Sequence, residues 1–339
     1  MIFLEITDTV FQSIDVSSHD EFDHEKVYYY EDPQIGFKSI IAIHSSSAGP
    51  AIGGCRFRNY SSFQEGLTDV LRLSRGMTEK NNAAKIPFGG GKAIIFADHP
   101  KSQATLCALA DFLNLLEGAY YSAEDIGITL EDIQFVGQHS AFVLDNVDPG
   151  PYTAKGIFYS IEAALKYYLH KDLQRSSISI QGAGSVGLTL ANHLADSGAT
   201  VYIQDIDFTK LEGIDRQNII PVQNILSQEC DLLAPCAIGG ILDRESILEL
   251  KCSIIAGGAN NQLKTMEIDD ALLALGIHYV PDILINSGGV IGLTKDILGR
   301  NSNQIESDLQ LIAERAVNFM KIGQANNISI LQAMNASVS

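Results

Sequence analysis

Short apolar runs alternate with longer stretches of helical period along most of this chain, and turn residues separate them. Residues 26–30 (KVYYY) and 38–44 (KSIIAIH) read as strands on either side of the turn at Asp32-Pro33. Leu67, Val70, Leu71 and Leu73 recur at helical spacing, so 62–77 is expected to be an amphipathic helix that delivers Lys80 from its C-terminal end. A buried strand over 93–97, a helix over 104–116 and a short strand at 120–123 follow, and a helix begins after Thr129. The first twenty residues, mixed and acidic, suggest no element. The most turn-rich stretch, DNVDPGP at 145–151, marks a domain boundary.

Beyond it the pattern changes to one of repeated short apolar strands, at 177–181, 200–205, 218–222, 230–236, 252–258 and 276–280, preceded by a helix over 153–169. Such runs suit parallel strands covered on both faces. The first leads directly into Gly182-Ala-Gly184-Ser185-Val186-Gly187, a GxGxxG sequence with a strand before it and a helix over 185–197 after it. In a dinucleotide site Gly182 would permit the tight turn, Gly184 the approach of a pyrophosphate and Gly187 close packing of the helix on the sheet, with the helix N-terminus facing the phosphates. Asp205 ends the next strand, where it would accept hydrogen bonds from ribose hydroxyls and repel a 2′-phosphate, favouring NAD over NADP; Lys210 argues weakly the other way. A βαβ unit without nucleotide is the alternative. Two later strands run into polar ends, 259–262 (ANNQ) and 281–289 (PDILINSGG), at the edge where open α/β sheets bind ligands, although asparagines also serve as turn residues. A last helix is expected over 304–325.

Composition narrows the function classes. Of 339 residues, 46% are hydrophobic and 19% charged, a globular balance with length for about two domains. The 23 Lys and Arg against 41 Asp and Glu give a net charge of −18, which argues against nucleic acid and anionic membranes as partners. Five scattered cysteines without a CxxC pair indicate neither a disulfide framework nor a metal site. With no basic leader and no apolar run long enough for a bilayer, a cytoplasmic protein is expected.

The segment 80–92, KNNAAKIPFGGGK, is the strongest candidate for chemistry. Two lysines bracket an apolar stretch, and three glycines suggest close approach of a bound molecule to the main chain. A lysine walled by residues like Ile86 and Phe88 would lose hydration, pulling its pKa toward neutrality, where it can take a proton. A flexible surface loop with two solvated lysines is the alternative. Asp125, at the end of a short strand, reads as a helix cap unless both lysines converge on it, and Met77 reads on its own as core filler.

Taken together the motifs GPAIGGCR (49–56), LTDVLRLSRGMTEK (67–80), FGGGKAII (88–95), SAEDIG (122–127), QGAGSVG (181–187), APCAIGG (234–240), AGGANNQL (256–263) and PDILINSGGVI (281–291) resemble the glutamate, leucine, phenylalanine and valine dehydrogenase family, most closely its leucine-specific members. The resemblance implies an α/β protein of two domains with a cleft between them. Residues 1–148 would be a substrate and oligomerisation domain with a mainly parallel sheet, 149–320 a Rossmann-type NAD-binding domain, and 321–339 a tail packing back toward the first. It implies NAD-dependent, reversible oxidative deamination of a branched-chain L-amino acid to a 2-oxo acid and ammonia. Lys80 would bind the substrate carboxylate, Lys92 would activate water and Asp125 would shuttle protons at the amino group. Hydride leaves only from the carbon of an uncharged amine, which asks for a carboxylate and a base together.

By the same resemblance Gly53, Gly54, Met77 and Asn261 would line the substrate, and Ile52, Ala123, Val290 and Leu293 its side chain. Cys236, Ala237, Asn261 and Asn286 would join the glycine loop, Ser185, Val186 and Asp205 around the cofactor, and no metal is implied. Two methyl-bearing walls leave room for Leu, Ile or Val but crowd a phenyl ring, and discrimination among the aliphatic substrates should be loose. A phenylalanine dehydrogenase and a catalytically silent NAD-binding protein are the alternatives. Glu79, Ile128 and Gly292 depart from residues usual in the family (Tyr, Thr and Asn), and the short C-terminus makes a dimer as plausible as an octamer among homo-oligomers.

Overall fold

A computed structural model describes residues 1–13, 23–145 and 147–336. The chain divides into two compact units, Met1–Val147 and Asp148–Ser339.

The first unit runs β1 (Ile2–Glu5), α1 (Thr7–Ser13), β2 (Lys26–Asp32), β3 (Phe37–Ser45), β4 (Ala51–Arg58), α2 (Phe63–Ala84), β5 (Gly89–Phe96), α3 (Gln103–Leu115), β6 (Tyr120–Ala123) and α4 (Leu130–Gly137). Its strands lie in the order β1-β2-β3-β5-β4-β6. This sheet is mixed, where the sequence suggests a mainly parallel one: β1–β2, β2–β3 and β3–β5 are antiparallel, while β4–β5 and β4–β6 are parallel. Connection length explains the difference, since the tight turn after Asp32 can join β2 and β3 only as a hairpin, whereas α2 and α3 supply the crossovers that parallel pairing needs. The edge strand β1 escapes sequence reading because all four of its residues are exposed and only its ladder with β2 defines it.

Helix α2 covers one face of the sheet, where Leu67, Val70 and Leu71 meet Ile40, Ala42 and Ile94. Helices α3 and α4 cover the other, with Leu109, Phe112, Ile133 and Val136 against Ile41, Ala93 and Ile95. Helix α2 starts at Ser62, whose side chain accepts from Glu65 N, and runs past the expected end at 77 to Ala84. Two of its three buried positions in that extension, Thr78 and Asn81, are polar and the third is the small Ala84, so a hydrophobic period does not reveal it.

The three glycines are strand, not loop, and all are buried. What comes close to them is protein. A Cβ on Gly90 would lie 2.1 Å from Thr78 N of α2, one on Gly91 2.7 Å from the Tyr120 ring and one on Gly89 2.0 Å from Ser45 O, while Asn81 Nδ2 donates to Gly89 O at 2.7 Å. Gly90→Ala must push α2 off the sheet, so a loss of about 1–3 kcal/mol in urea unfolding is expected. An unchanged midpoint would refute this packing.

In the second unit α5 (Gly150–Ala164) continues through a π-type turn (Leu165–Leu169). It is followed by β7 (Ser177–Gln181), α6 (Ser185–Asp196), β8 (Thr200–Gln204), β9 (Ile219–Pro221), β10 (Leu232–Pro235), β11 (Ile254–Ile255), α7 (Glu267–Ala274), β12 (His278–Tyr279), α8 (Asp282–Ile285), α9 (Gly288–Leu293), α10 (Ser302–Asn326) and α11 (Ile330–Ala336). All pairings are parallel, in the order β12-β11-β10-β7-β8-β9. Read from β9 this is the doubly wound order 3-2-1-4-5-6, whose reversal between β7 and β10 opens a crevice at the strands' carboxyl ends.

Helices α8 and α9 occupy what reads in sequence as a polar strand end. Their glycines let them lie on α5: a Cβ on Gly288 would lie 2.3 Å from Tyr152 O, and one on Gly292 2.4 Å from the Tyr152 ring, which accounts for glycine at 292. Helix α10 crosses 321 unbroken, and the segment after it clusters with the second unit, where Ser329 Oγ bonds the Asp269 carboxylate and Gln332 Nε2 donates to Asp270 Oδ1 at 2.8 Å. Residues 337–339 of the expected tail lie outside the described residues. The five cysteines are free, and no helix among the described residues is long and apolar enough to cross a membrane.

Candidate active site

In the first unit the sheet register builds a charged pair. Lys92 on β5 stands opposite Ala42 of β3, and Gly54 of β4 stands opposite Ala123 of β6. Because Ile52 pairs with Gly90 and Cys55 with Ala93, Gly54 is the next residue across the sheet from Lys92. The lysine reaches over this glycine to Asp125, just past the end of β6, and its Nζ lies 2.5 Å from Asp125 Oδ2. A Cβ on Gly54 would lie 2.9 Å from Asp125 Cβ and 3.1 Å from Lys92 Nζ, so glycine here leaves the pair its space.

Both partners are largely shielded, with side-chain exposures of 9% and 17%. Burial opposes ionisation of Asp125, but the Lys92 and Arg56 charges and the Ile126 N–H outweigh it and hold the carboxyl below the usual carboxylate range. Arg56, on β4, was not singled out by the sequence. Its Nε is 3.4 Å from Asp125 Oδ2, and its Nη1 is 3.0 Å from Asp69 Oδ2, which also accepts from Tyr60 OH at 2.7 Å. The only signal in sequence is its place at the end of GPAIGGCR. Tyr120 was missed as well: fully buried, it donates to the carbonyls of Gly53 (2.8 Å) and Gly54 (3.1 Å) and so fixes the backbone beneath the pair.

Lys92 shares its sheet face with Ile94 and Phe96, the face that α2 covers. Met77 of α2, half-buried, lies over Gly53, its Cγ 3.4 Å from where a Cβ would stand, so it flanks the pair. Half-buried Lys80 comes three residues later, on the adjoining margin of the same helix. Glu79 points elsewhere: it is exposed and pairs with Arg75 at 3.3 Å. Ile128 is 2% exposed in the α3–α4 core, and its backbone pairs with that of Asp125, so its side chain serves packing. Ile52 and Ala123 are buried beside the glycines at 1% and 4% exposure.

In the second unit the expected nucleotide residues gather at the carboxyl ends of the strands. Gly182 has φ +100°, and a Cβ there would lie 2.7 Å from Ala237 Cβ, so the loops after β7 and β10 meet at the crevice. A Cβ on Gly187 would lie 2.0 Å from Gly182 O; one on Gly184, which caps α6 without any side-chain bond, would meet nothing within 4 Å. The helix therefore ends on unpaired N–H groups facing open space, the cradle that a pyrophosphate needs. Ser185 Oγ donates to Asp148 Oδ2 at 2.9 Å. Val186 and Cys236 converge on Gly258, where a Cβ would lie 3.0 Å from Val186 Cγ1 and 3.8 Å from Cys236 Sγ; burial pushes the Cys236 thiol up to about 12.

Asp205 is 8% exposed and already engaged, since Oδ2 accepts from Ala183 N at 2.7 Å and Oδ1 from Asp207 N at 2.9 Å, with Lys210 Nζ at 3.4 Å. Burial resists its ionisation, yet these donors hold its carboxyl below the usual range. It ties the glycine loop to β8 and keeps lone pairs for one more donor. Asn286 is 2% exposed and donates to Asn260 Oδ1 at 2.8 Å and Gly258 O at 3.3 Å, while its own Oδ1 is buried without a partner and available to a ligand. Asn261 is exposed at φ +53°, held by its N–H to Asp282 Oδ2 at 2.7 Å. Val290 and Leu293 lie on α9, buried and half-buried. The open cradle and the unpaired amide oxygen fit a pyridine dinucleotide. No group of three or more metal-ligating side chains occurs among the described residues.

Comparison with known proteins agrees over nearly the whole chain. The family model described as Glu/Leu/Phe/Val dehydrogenase, dimerisation domain, matches residues 24–148, and the Glutamate/Leucine/Phenylalanine/Valine dehydrogenase model matches 203–326. The chain is 36% identical to leucine dehydrogenase of Geobacillus stearothermophilus (91% of this chain, 87% of that one) and 37% identical to phenylalanine dehydrogenase of Bacillus thermotolerans (92% and 87%). Among solved structures it superposes on L-tryptophan dehydrogenase from Nostoc punctiforme with a TM-score of 0.83 at 32% identity, covering 94% and 96% of the two chains. The chain therefore belongs to the glutamate, leucine, phenylalanine and valine dehydrogenase family, whose members are NAD(P)-dependent oxidoreductases acting on the CH–NH2 group of amino acids.

Proposed function

We propose that this amino acid dehydrogenase oxidatively deaminates branched-chain aliphatic L-amino acids, leucine with valine and isoleucine, using NAD, and that it works as a cytoplasmic homo-oligomer. The single observation that carries the reading is the Lys92–Asp125 contact of 2.5 Å, formed beside a glycine whose missing Cβ leaves the pair its space. The first unit would carry the amino acid and the second the nucleotide, in Gly182–Gly187, Asp205, Cys236, Ala237, Asn261 and Asn286. When bound, the nicotinamide accepts the Cα hydride.

The remaining steps fall to the chain. Lys80 holds the substrate carboxylate, with Gly53, Gly54, Met77 and Asn261 lining the substrate backbone. Asp125 takes a proton from the ammonium, which frees the nitrogen lone pair, and returns it to the departing ammonia. Lys92 holds the attacking water and receives its proton, with Asp125 adjacent to stabilise the ammonium that results. Arg56, in contact with Asp125 and not with substrate, is a positioning residue. The presence of the complete pair argues against a silent nucleotide-binding protein.

The residue types at Ile52, Ala123, Val290 and Leu293 support the aliphatic choice, because none is as small as glycine. The phenylalanine and tryptophan enzymes among the relatives supply the competing aromatic reading. Purified chain should oxidise L-leucine with NAD at a kcat/KM about tenfold or more above that for L-phenylalanine or L-tryptophan, a difference of the size a fitted apolar pocket supplies. Aromatic substrates ahead of leucine would overturn the substrate choice, NADP ahead of NAD the cofactor choice, and no turnover of any amino acid the enzymatic reading itself.

A further inference from the structure

The second unit contains a cavity of about 760 Å³ that shares no residue with the candidate active site. It lies where the strands begin, between the end of α5, β12, α7 and the α10–α11 junction, whereas the nucleotide loops lie where the strands finish. Its size suits a small organic ligand. Leu273, Ile277 and Val317 contribute an apolar lining, and Tyr168 stacks on His278 with ring centroids 3.7 Å apart and planes 9° from parallel, a rigid aromatic wall.

Two charged groups also line it, the exposed Lys166 and the buried Asp269. Asp269, near the start of α7, is 4% exposed. Its Oδ2 is bonded to Ser329 Oγ, but its Oδ1 is buried and has no hydrogen-bond partner. A buried carboxylate oxygen left unpaired is costly, and a cationic donor offsets that cost most fully. Burial pushes this carboxyl up from its usual value, as expected where the charged form lacks a counter-ion. The net charge of −18 further favours a cation as the ligand.

We infer that this cavity binds a small primary amine with an apolar body, its ammonium on Asp269 Oδ1 and its hydrocarbon against Leu273, Ile277 and Val317. The test is isothermal titration of the full chain, its active site filled with NADH and L-leucine, with isopentylamine and with isovalerate, an anion of similar shape. One equivalent of isopentylamine should bind and isovalerate should not. Asp269→Asn should weaken the amine by about tenfold or more. Ala163→Leu, which fills the cavity from α5, should abolish binding while leaving the amino acid dehydrogenase reaction unchanged, and it serves also if the Asp269 variant does not fold. The inference is overturned if the amine gives no heat, if its binding survives the Ala163 variant, or if isovalerate binds as well.

Discussion

Lys92→Ala is expected to lower kcat for oxidation of the preferred amino acid by about 10²–10⁴-fold, the range associated with a positioned acid–base group, with a much smaller change in nucleotide affinity. The group removed stands 2.5 Å from Asp125, while the nucleotide loops belong to the second unit. Steady-state kinetics and NADH titration separate the two effects, and a kcat within about threefold of the parent would end the acid–base assignment.

Asp125→Asn should reduce kcat as deeply and cost stability as well. It leaves Lys92, whose side chain is 9% exposed, without its counter-charge, and breaking such a pair costs about 3–5 kcal/mol when burial is complete. Lys92→Ala should cost less, because Arg56 remains in contact with Asp125. The pH dependence has a definite sign. The Asp125 carboxyl is held below its ordinary value in the fold, so its contribution to stability is fully present above the unfolded carboxylate pKa of about 3.9 and is lost as pH falls through the depressed folded value. The asparagine variant should lack that part of the acid slope in urea midpoints measured downward from pH 5, and an identical slope would show that the pair does not contribute it.

The second large effect concerns the glycine loop, where two substitutions of equal size should behave differently. Gly187→Ala places a Cβ 2.0 Å from Gly182 O, a backbone atom that cannot step aside, so α6 must lift from the sheet. Losses of about 1–3 kcal/mol in stability and at least about tenfold in NADH affinity are expected. Gly184→Ala adds a Cβ that meets no protein atom within 4 Å, so the unfolding midpoint should hardly move. Any affinity it loses reports the ligand's own approach to the backbone, and a loss of about tenfold is expected there too. If the Gly184 variant binds NADH like the parent, the pyrophosphate does not pass over that glycine.

The readings that survived intact depend on local physics. The β7–α6 turn is legible because the chain's requirements there, φ +100° at Gly182 and contact of Gly187 with a carbonyl, admit no other residue, so the glycine spacing records the geometry. The strands of the second sheet are legible because parallel strands buried on both faces are continuously apolar. Helix α2 beyond residue 77 was hidden because Thr78 and Asn81 are buried polar groups, and the glycine triplet was misread as an approach to ligand because nothing in its own sequence names Thr78 and Tyr120 as the neighbours. Arg56 and Asp269 were invisible for a related reason: each matters through its surroundings, Asp125 in one case and the cavity it lines in the other.

By itself the sequence determined the strands of the second sheet, the glycine turn between β7 and α6 and the identity of the charged side chains, because periodicity, glycine spacing and residue chemistry are properties of neighbours along the chain. Only the tertiary structure decided that Lys92 meets Asp125 across Gly54, that the first sheet is mixed, and that Asp269 lines a cavity. Those facts depend on strand order and register, which bring together residues tens of positions apart, and pairing of that kind is set by packing of the whole unit and not by any local run of residues.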